Sequence, residues 1–188
     1  MITRDRLVAA ALQCFSERTV EGTPVPLIAG RAGVATGTLY RHFEGKEALA
    51  NACFRVAKNA LGDAIAPALA ADVPAREAFH AIWRGLWQFA VKHPAALRFL
   101  ETHHHEAYLD DESRSTRSAV FDGIRGFVER AQARGEIRPG DGGLLIALAF
   151  GAFVGAVKEA DQGHLALDDA GIAEAEQAVW AMLAATED

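Results

Sequence analysis

"GVATGTLYRHFEGKEAL", Gly33 to Leu49, crowds two threonines, a tyrosine, an arginine and a histidine between Thr36 and His42, with Lys46 just beyond. Read as a helix from Thr36 through Phe43, Leu39 and Phe43 share one face at i, i+4 spacing. That face is predicted to pack on Val34, Ile28 and Phe15. Thr36, Gly37, Thr38, Tyr40, Arg41 and His42 are left pointing outward or along the edges. Hydroxyl, imidazole and guanidinium groups are those that bond phosphate oxygens and base edges in a duplex. Gly37 lacks a side chain and lets the backbone approach a partner closely. Lys46 opens the next helix and adds a point charge near its positive dipole end.

Upstream, Thr3 is predicted to cap a first helix ending near Arg18, with Leu7, Val8, Ala11, Leu12 and Phe15 on one face. Thr23 reads as the N-cap of a short helix to about Ala32, with Pro24 at its first position and Pro26 in its first turn. Gly33 ends that helix, since glycine tolerates positive φ. Two short helices joined by a tight glycine-containing turn and braced by a longer helix make a helix-turn-helix. Downstream, apolar residues recur at three- and four-residue spacing, so the class is all-α. Helices are expected from "EGKEAL" to about Ala66 ahead of Pro67, over Ala75–Lys92, and from about Ala95 to His103. Others span about Ser113–Arg134 (stopped by Gly135), Asp141 to about Ala160, and Asp168 or Asp169 to about Thr186.

The stretch "FSERTVEGTPVPLIAGRAGVATGTLYRHFEGKEAL", within a match over roughly Ile2–Phe54, resembles the N-terminal domain of TetR-family transcriptional regulators. The resemblance implies a helix-turn-helix DNA-binding domain over 1–48 and a helical ligand-binding and dimerisation domain over 49–188. It further implies a homodimer that binds a palindromic double-stranded DNA operator and represses until a small-molecule effector releases it. By the same resemblance, Thr36, Gly37 and Arg41 contact bases. Thr38, Tyr40, His42 and Lys46 contact phosphates, joined by Thr23 at the dipole-positive start of its helix. The chain departs from the family pattern at Ala35, where a capping Ser is common, at Pro26-Leu27, and at Thr19 in place of a loop glycine. Gly30 weakens its helix by ~1 kcal/mol.

The chain's formal net charge is −6. Residues 1–58 nevertheless hold 8 Lys/Arg against 5 Asp/Glu, a net of +3, and residues 59–188 hold 11 against 20, a net of −9. Screening cuts off charges beyond ~8 Å at physiological salt, so the local field of a basic head governs its approach to DNA. Cys14 and Cys53 form no metal-ligand pair and are expected as buried free thiols of a reducing cytoplasm. Asp5 and Arg6 break the N-terminus as a secretory signal. The apolar run 142–157 falls short of the ~20 residues of a membrane span and reads as a buried helix, so no membrane is expected.

Trp83, Trp87, Phe89, Phe99, Tyr108, Phe121, Ile124 and Phe127 come from neighbouring elements, and the resemblance places a ligand pocket among them. Such a pocket suits a hydrophobic or aromatic effector, with His103 or His104 and Tyr108 as orienting groups. The run His103–His105 is open to three uses: lining that pocket, capping a helix, or holding a metal. Adjacent histidines on a helix point ~100° apart and no H-E-x-x-H pattern exists, so no metal or other cofactor is expected. Paired acid/base groups are also missing, so no catalytic residue and no enzyme is expected. Ala147, Gly151 and Gly155 form a ridge of small residues, and Val179, Trp180 and Leu183 belong to an apolar stripe on the last helix. Together they suit a dimer interface of two helices per subunit.

Overall fold

The computed structural model describes residues 3–102 and 105–185. Its helices are α1 (Thr3–Glu17), α2 (Val25–Ala32), α3 (Thr36–His42), α4 (Lys46–Ala70), α5 (Ala75–Lys92) and α6 (Pro94–Thr102), followed by a 3₁₀ turn (His105–Ala107). Then come α7 (Asp111–Ala133), α8 (Gly142–Asp161) and α9 (Asp169–Leu183). The class is all-α, and among the described residues the sole strand-like feature is an isolated antiparallel bridge between Ile137 and Ala184. The chain forms two compact units. One is Met1–Gly62 with Val91–Ala119, the other Asp63–Ala90 with Val120–Asp188. His103, His104 and the expected end of the last helix at Thr186 lie outside the described residues.

In the first unit α1 packs on α2 and α6, and α2 packs on α3. Leu7, Ala11, Cys14, Phe15, Ile28, Leu39, Leu49 and Phe99 are fully buried. Burial of each large side chain among them is worth ~1.5–3 kcal/mol. Both thiols are free and buried as expected. Gly33 adopts φ 66°, and the end of α2 closes through Gly33 N–H to Gly30 O and Val34 N–H to Ala29 O, both 3.0 Å. This is the paired terminal bonding that only a left-handed residue permits cheaply.

Buried Asn51 on α4 fastens the segment ahead of α7. Its amide donates to Glu47 O (3.1 Å) and Tyr108 O (2.8 Å) and accepts from Asp110 N–H (2.9 Å). Asp110 caps α7 by accepting from Ser113 N–H at 2.8 Å, so α7 starts two residues ahead of the expected Ser113. Partial burial raises the Asp110 pKa, but bonds from Ser113 and from Arg55 outweigh it and hold the carboxyl below its ordinary value.

In the second unit a Cβ on Gly85 would meet Ala64 O at 2.3 Å, so α5 lies against the α4 backbone at a distance no other residue allows. Glu136 caps α5 from afar, accepting from Ala75 N–H. Its pKa is lowered, first by the Arg134 hydrogen bond and then by that backbone donor. Asp141 and Asp168 cap α8 and α9, as their positions suggested.

Several expectations fail for physical reasons. α4 does not stop before Pro67 but runs through it to Ala70. A proline so near the end disrupts only the last turn, where little helix remains to be lost. Thr3 already lies inside α1. Thr23 does not cap α2: the N-cap is Pro24, without a side-chain bond. α8 is not a buried helix, because only Leu145 and Phe153 are buried along it. By length and composition α8 would also suffice to cross a membrane.

Candidate nucleic-acid interface

Within α3 Leu39 alone is buried; Phe43, the residue that closes the helix through its N–H to Leu39 O at 2.9 Å, is 6% exposed. These two anchors leave Thr36, Gly37, Tyr40, Arg41 and His42 exposed and Thr38 half-buried. Tyr40 is 56% exposed, which leaves its phenol free to reach a partner. A Cβ on Gly37 would meet nothing within 4 Å, so the glycine keeps an open approach there and satisfies no packing demand. Ala35 is the N-cap of α3 in extended conformation and makes no side-chain cap bond. The cap is therefore lost, not transferred to Thr36.

Two expected phosphate ligands stand differently. Thr23 is 0% exposed, and its hydroxyl donates to Thr19 O at 2.8 Å. The preceding turn closes on itself, with Gly22 N–H donating to Thr19 Oγ1 at 2.9 Å. Thr23 is thus withdrawn from the surface. Lys46 donates to Glu21 O at 2.8 Å and Thr23 O at 3.3 Å, so its charge is held against the same turn. Neither the local bonds of the Thr19–Thr23 turn nor the long-range bonds of Lys46 leave a trace in the spacing of residue types.

The expected ligand-site residues divide between the units. In the first, Phe99 and Tyr108 surround His105. Its ring lies 4.8 Å from Phe99 and 5.7 Å from Tyr108, and Phe54 lies at 5.0 Å. His105 Nδ1 meets Tyr108 Oη at 2.5 Å while Nε2 faces Phe99 O at 3.1 Å and Leu100 O at 3.3 Å. Of the three uses open to the histidine run, His105 takes the carbonyl-capping one. The Lys58 ammonium lies 6.0 Å from the Phe54 ring. Removal from water lowers the Lys58 pKa and raises that of Glu101, and each offsets the other through opposite charge.

In the second unit Trp83 and Trp87 pack edge-on against Phe153 at 5.9 and 5.2 Å. Phe89 and Phe127 are buried, Ile124 is half-buried, and Phe121 is 41% exposed. The Trp83 indole donates to Ile172 O at 3.1 Å, but the buried Trp87 Nε1–H has no hydrogen-bond partner. Among the described residues no group of three or more His, Cys, Asp or Glu can hold a metal ion. His80 instead bonds buried Glu176 at 2.8 Å, beside Arg76.

The expected dimer residues also divide. Ala147, Gly151 and Gly155 are exposed on α8, alongside Leu144 at 58% and Leu148 at 48%. On α9, Val179 and Leu183 are buried within the chain, and Trp180 packs on Phe79 at 5.4 Å beneath the Arg76 guanidinium. Val179 and Leu183 thus fill the chain's own interior, whereas Trp180 is half-buried and keeps part of its surface. The outward positions of α9 are Asp169, Ala170, Ala173, Glu174, Gln177, Ala178 and Ala181.

A family model described as bacterial regulatory proteins, tetR family, matches residues 7–53. A second, the tetracyclin repressor-like C-terminal domain, matches residues 54–185. Among solved structures, a TetR family transcription regulator from Marinobacter aquaeolei VT8 is similar at 24% identity and TM-score 0.88, over 98% of this chain and 96% of its own. A protein with unknown function from Rhodococcus sp. RHA1 is similar at 27% identity and TM-score 0.76, over 98% and 96%. The fatty acid degradation regulator FadR from Bacillus halodurans is similar at 20% identity and TM-score 0.72, over 94% and 97%. At 20 and 24% identity the likeness is one of fold alone. No curated protein matches the chain.

Proposed function

This chain belongs to the TetR family of DNA-binding transcriptional regulators, and we propose that it works there as a ligand-responsive repressor. In this proposal a cytoplasmic homodimer grips a palindromic operator until a small hydrophobic or aromatic effector releases it. The observation that carries the proposal is the exposed face of α3, where Arg41, His42, Tyr40, Thr36 and Gly37 stand in water over an anchor of Leu39 and Phe43. Arg41, Thr36 and Gly37 read bases, and Thr38, Tyr40 and His42 hold phosphates. The uncovered apolar face of α8 supports the homodimer, pairing with a second copy in a four-helix arrangement completed by the outward face of α9. No catalytic role is assigned to any residue.

Trp87 supports the effector reading. An unpaired buried N–H costs ~1–3 kcal/mol, and a ligand with an acceptor oxygen among Trp83, Trp87 and Phe153 would relieve it.

The test begins with a duplex enriched from a random pool by the wild-type protein. In a homodimer Arg41→Ala removes two base contacts of ~1–3 kcal/mol each, so it is expected to weaken binding to it by at least ~30-fold. Tyr40→Phe is expected to lose less, and both variants should sediment as wild type does. Wild-type affinity for Arg41→Ala at moderate salt would remove α3 as the reading helix.

A further inference from the structure

The first unit spends much of its positive charge on itself. Arg6 donates to Ala32 O at 2.5 Å and Gly33 O at 3.3 Å, holding the end of α2. Arg31 grips both carboxylate oxygens of Glu17, at 2.8 and 3.1 Å. Arg55 is paired with Asp110, and Lys46 is bonded to the 21–23 turn. Arg4 differs. It is exposed, and its guanidinium carbon lies 5.1 Å from the centroid of the Phe43 ring. A ring contact of this kind attracts the charge without using any of its N–H donors. Phe43 directly follows His42, the last residue of α3. The stack therefore brings a cation from the start of α1 to the end of α3, where Arg41 and His42 are exposed.

We propose that Arg4 is a DNA phosphate contact, a backbone clamp seated on Phe43 beside the end of α3; it rests on the DNA-binding reading given above. It supplies the fixed external cation that the sequence pattern assigned to Lys46. A phosphate contact of this type positions the helix and carries no sequence information.

The test uses full-length Arg4→Gln and Arg4→Lys with two probes, mixed-sequence double-stranded DNA and the enriched operator duplex, across a salt series. Each lost phosphate contact lowers the slope of log K against log salt by about 0.9, so a dimer losing two loses about 1.8. Arg4→Gln is expected to show that loss and to weaken both duplexes by the same several-fold factor. Arg4→Lys keeps the charge and is expected to retain most of the slope. A wild-type slope in Arg4→Gln, with or without a lower melting temperature, overturns the assignment and leaves Arg4 as a cover for Phe43. Arg41→Ala run alongside separates the failures. If it loses operator preference while Arg4→Gln does not change, the recognition helix stands and only the clamp falls. If neither variant changes binding, both readings fall.

Discussion

α3 and α8 both leave most of their residues uncovered, and they do so with opposite chemistry. On α3 the uncovered groups are hydroxyls, a guanidinium, an imidazole and a phenol, with Leu39 alone buried within the helix. On α8 they are leucines, alanines and glycines as far as Gly155, with charged Lys158, Glu159 and Asp161 only at its end, and Leu145 and Phe153 are buried. Water solvates the first face well, so its exposure costs nothing and is available for exchange with phosphates and base edges. Water solvates the second face poorly, and leaving it uncovered forfeits ~25 cal/mol for every Å² of apolar surface. The chemistry of the first face suits a charged polymer, and that of the second suits a covering surface.

The sharpest way to break the contrast is to give α8 the chemistry of α3. Leu148→Glu puts a carboxylate in the middle of the apolar face, where pairing two copies would bury it unpaired. The variant is expected to sediment as a monomer at micromolar concentration. Operator affinity should fall by more than ~100-fold, because two half-sites are no longer joined. Far-UV circular dichroism should be unchanged, since Leu148 is 48% exposed in the single chain. A Leu148→Glu protein that remains a dimer would refute the assignment of this face.

A smaller effect tests how the two helices are held. α8 begins with Asp141 accepting from Gly143 N–H at 2.8 Å and Leu144 N–H at 3.1 Å, whereas α3 begins with Ala35 and no cap. Asp141→Ala is expected to cost ~1 kcal/mol in denaturant unfolding, and Ala35→Ser to gain ~0.5–1 kcal/mol, since Ala35 already has the extended conformation of an N-cap. No gain from Ala35→Ser would mean that α3 finds its first-turn partners elsewhere.

These helices also show what a sequence exposes and what it hides. The anchors Leu39 and Phe43, the stop at Gly33 and the caps Asp141 and Asp168 were legible, because each follows from local geometry within a few residues. The exposure of α8 was not, since an apolar helix reads the same whether its cover is its own chain or another. Burial of Val179 and Leu183 within the chain was hidden by the same ambiguity, run in reverse. Gly85 looks like a weak point in a helix until Ala64 O is found where its Cβ would stand. Thr23 turns its hydroxyl onto Thr19 O within its own loop, and Lys46 and Arg4 lie against distant parts of the chain; residue type shows none of these contacts. The exposure of Tyr40, Arg41 and His42 was legible, because Leu39 and Phe43 already account for the buried face of α3.

The smallest and most discriminating prediction makes one substitution in both regions. Gly30 on α2 and Gly151 on α8 are exposed helical glycines, and an added Cβ would meet nothing within 4 Å at either one. Neither has a positive φ. In a single chain Gly→Ala should therefore stabilise both helices by ~0.5–1 kcal/mol, through the lower backbone entropy lost on folding. For Gly30 that is the whole account, and its gain should not depend on protein concentration. At Gly151 the open space of the single chain is the space a second copy would fill in the proposed dimer. The added methyl would hold the two α8 helices apart and cost contacts along the ridge of Ala147, Gly151 and Gly155. Gly151→Ala is thus expected to raise the stability of a monomeric Leu148→Glu background and to lower that of the dimer. Thermal melts of both alanine variants across a hundredfold range of concentration decide the matter: the same gain at both sites in the wild-type background would mean that nothing packs against α8.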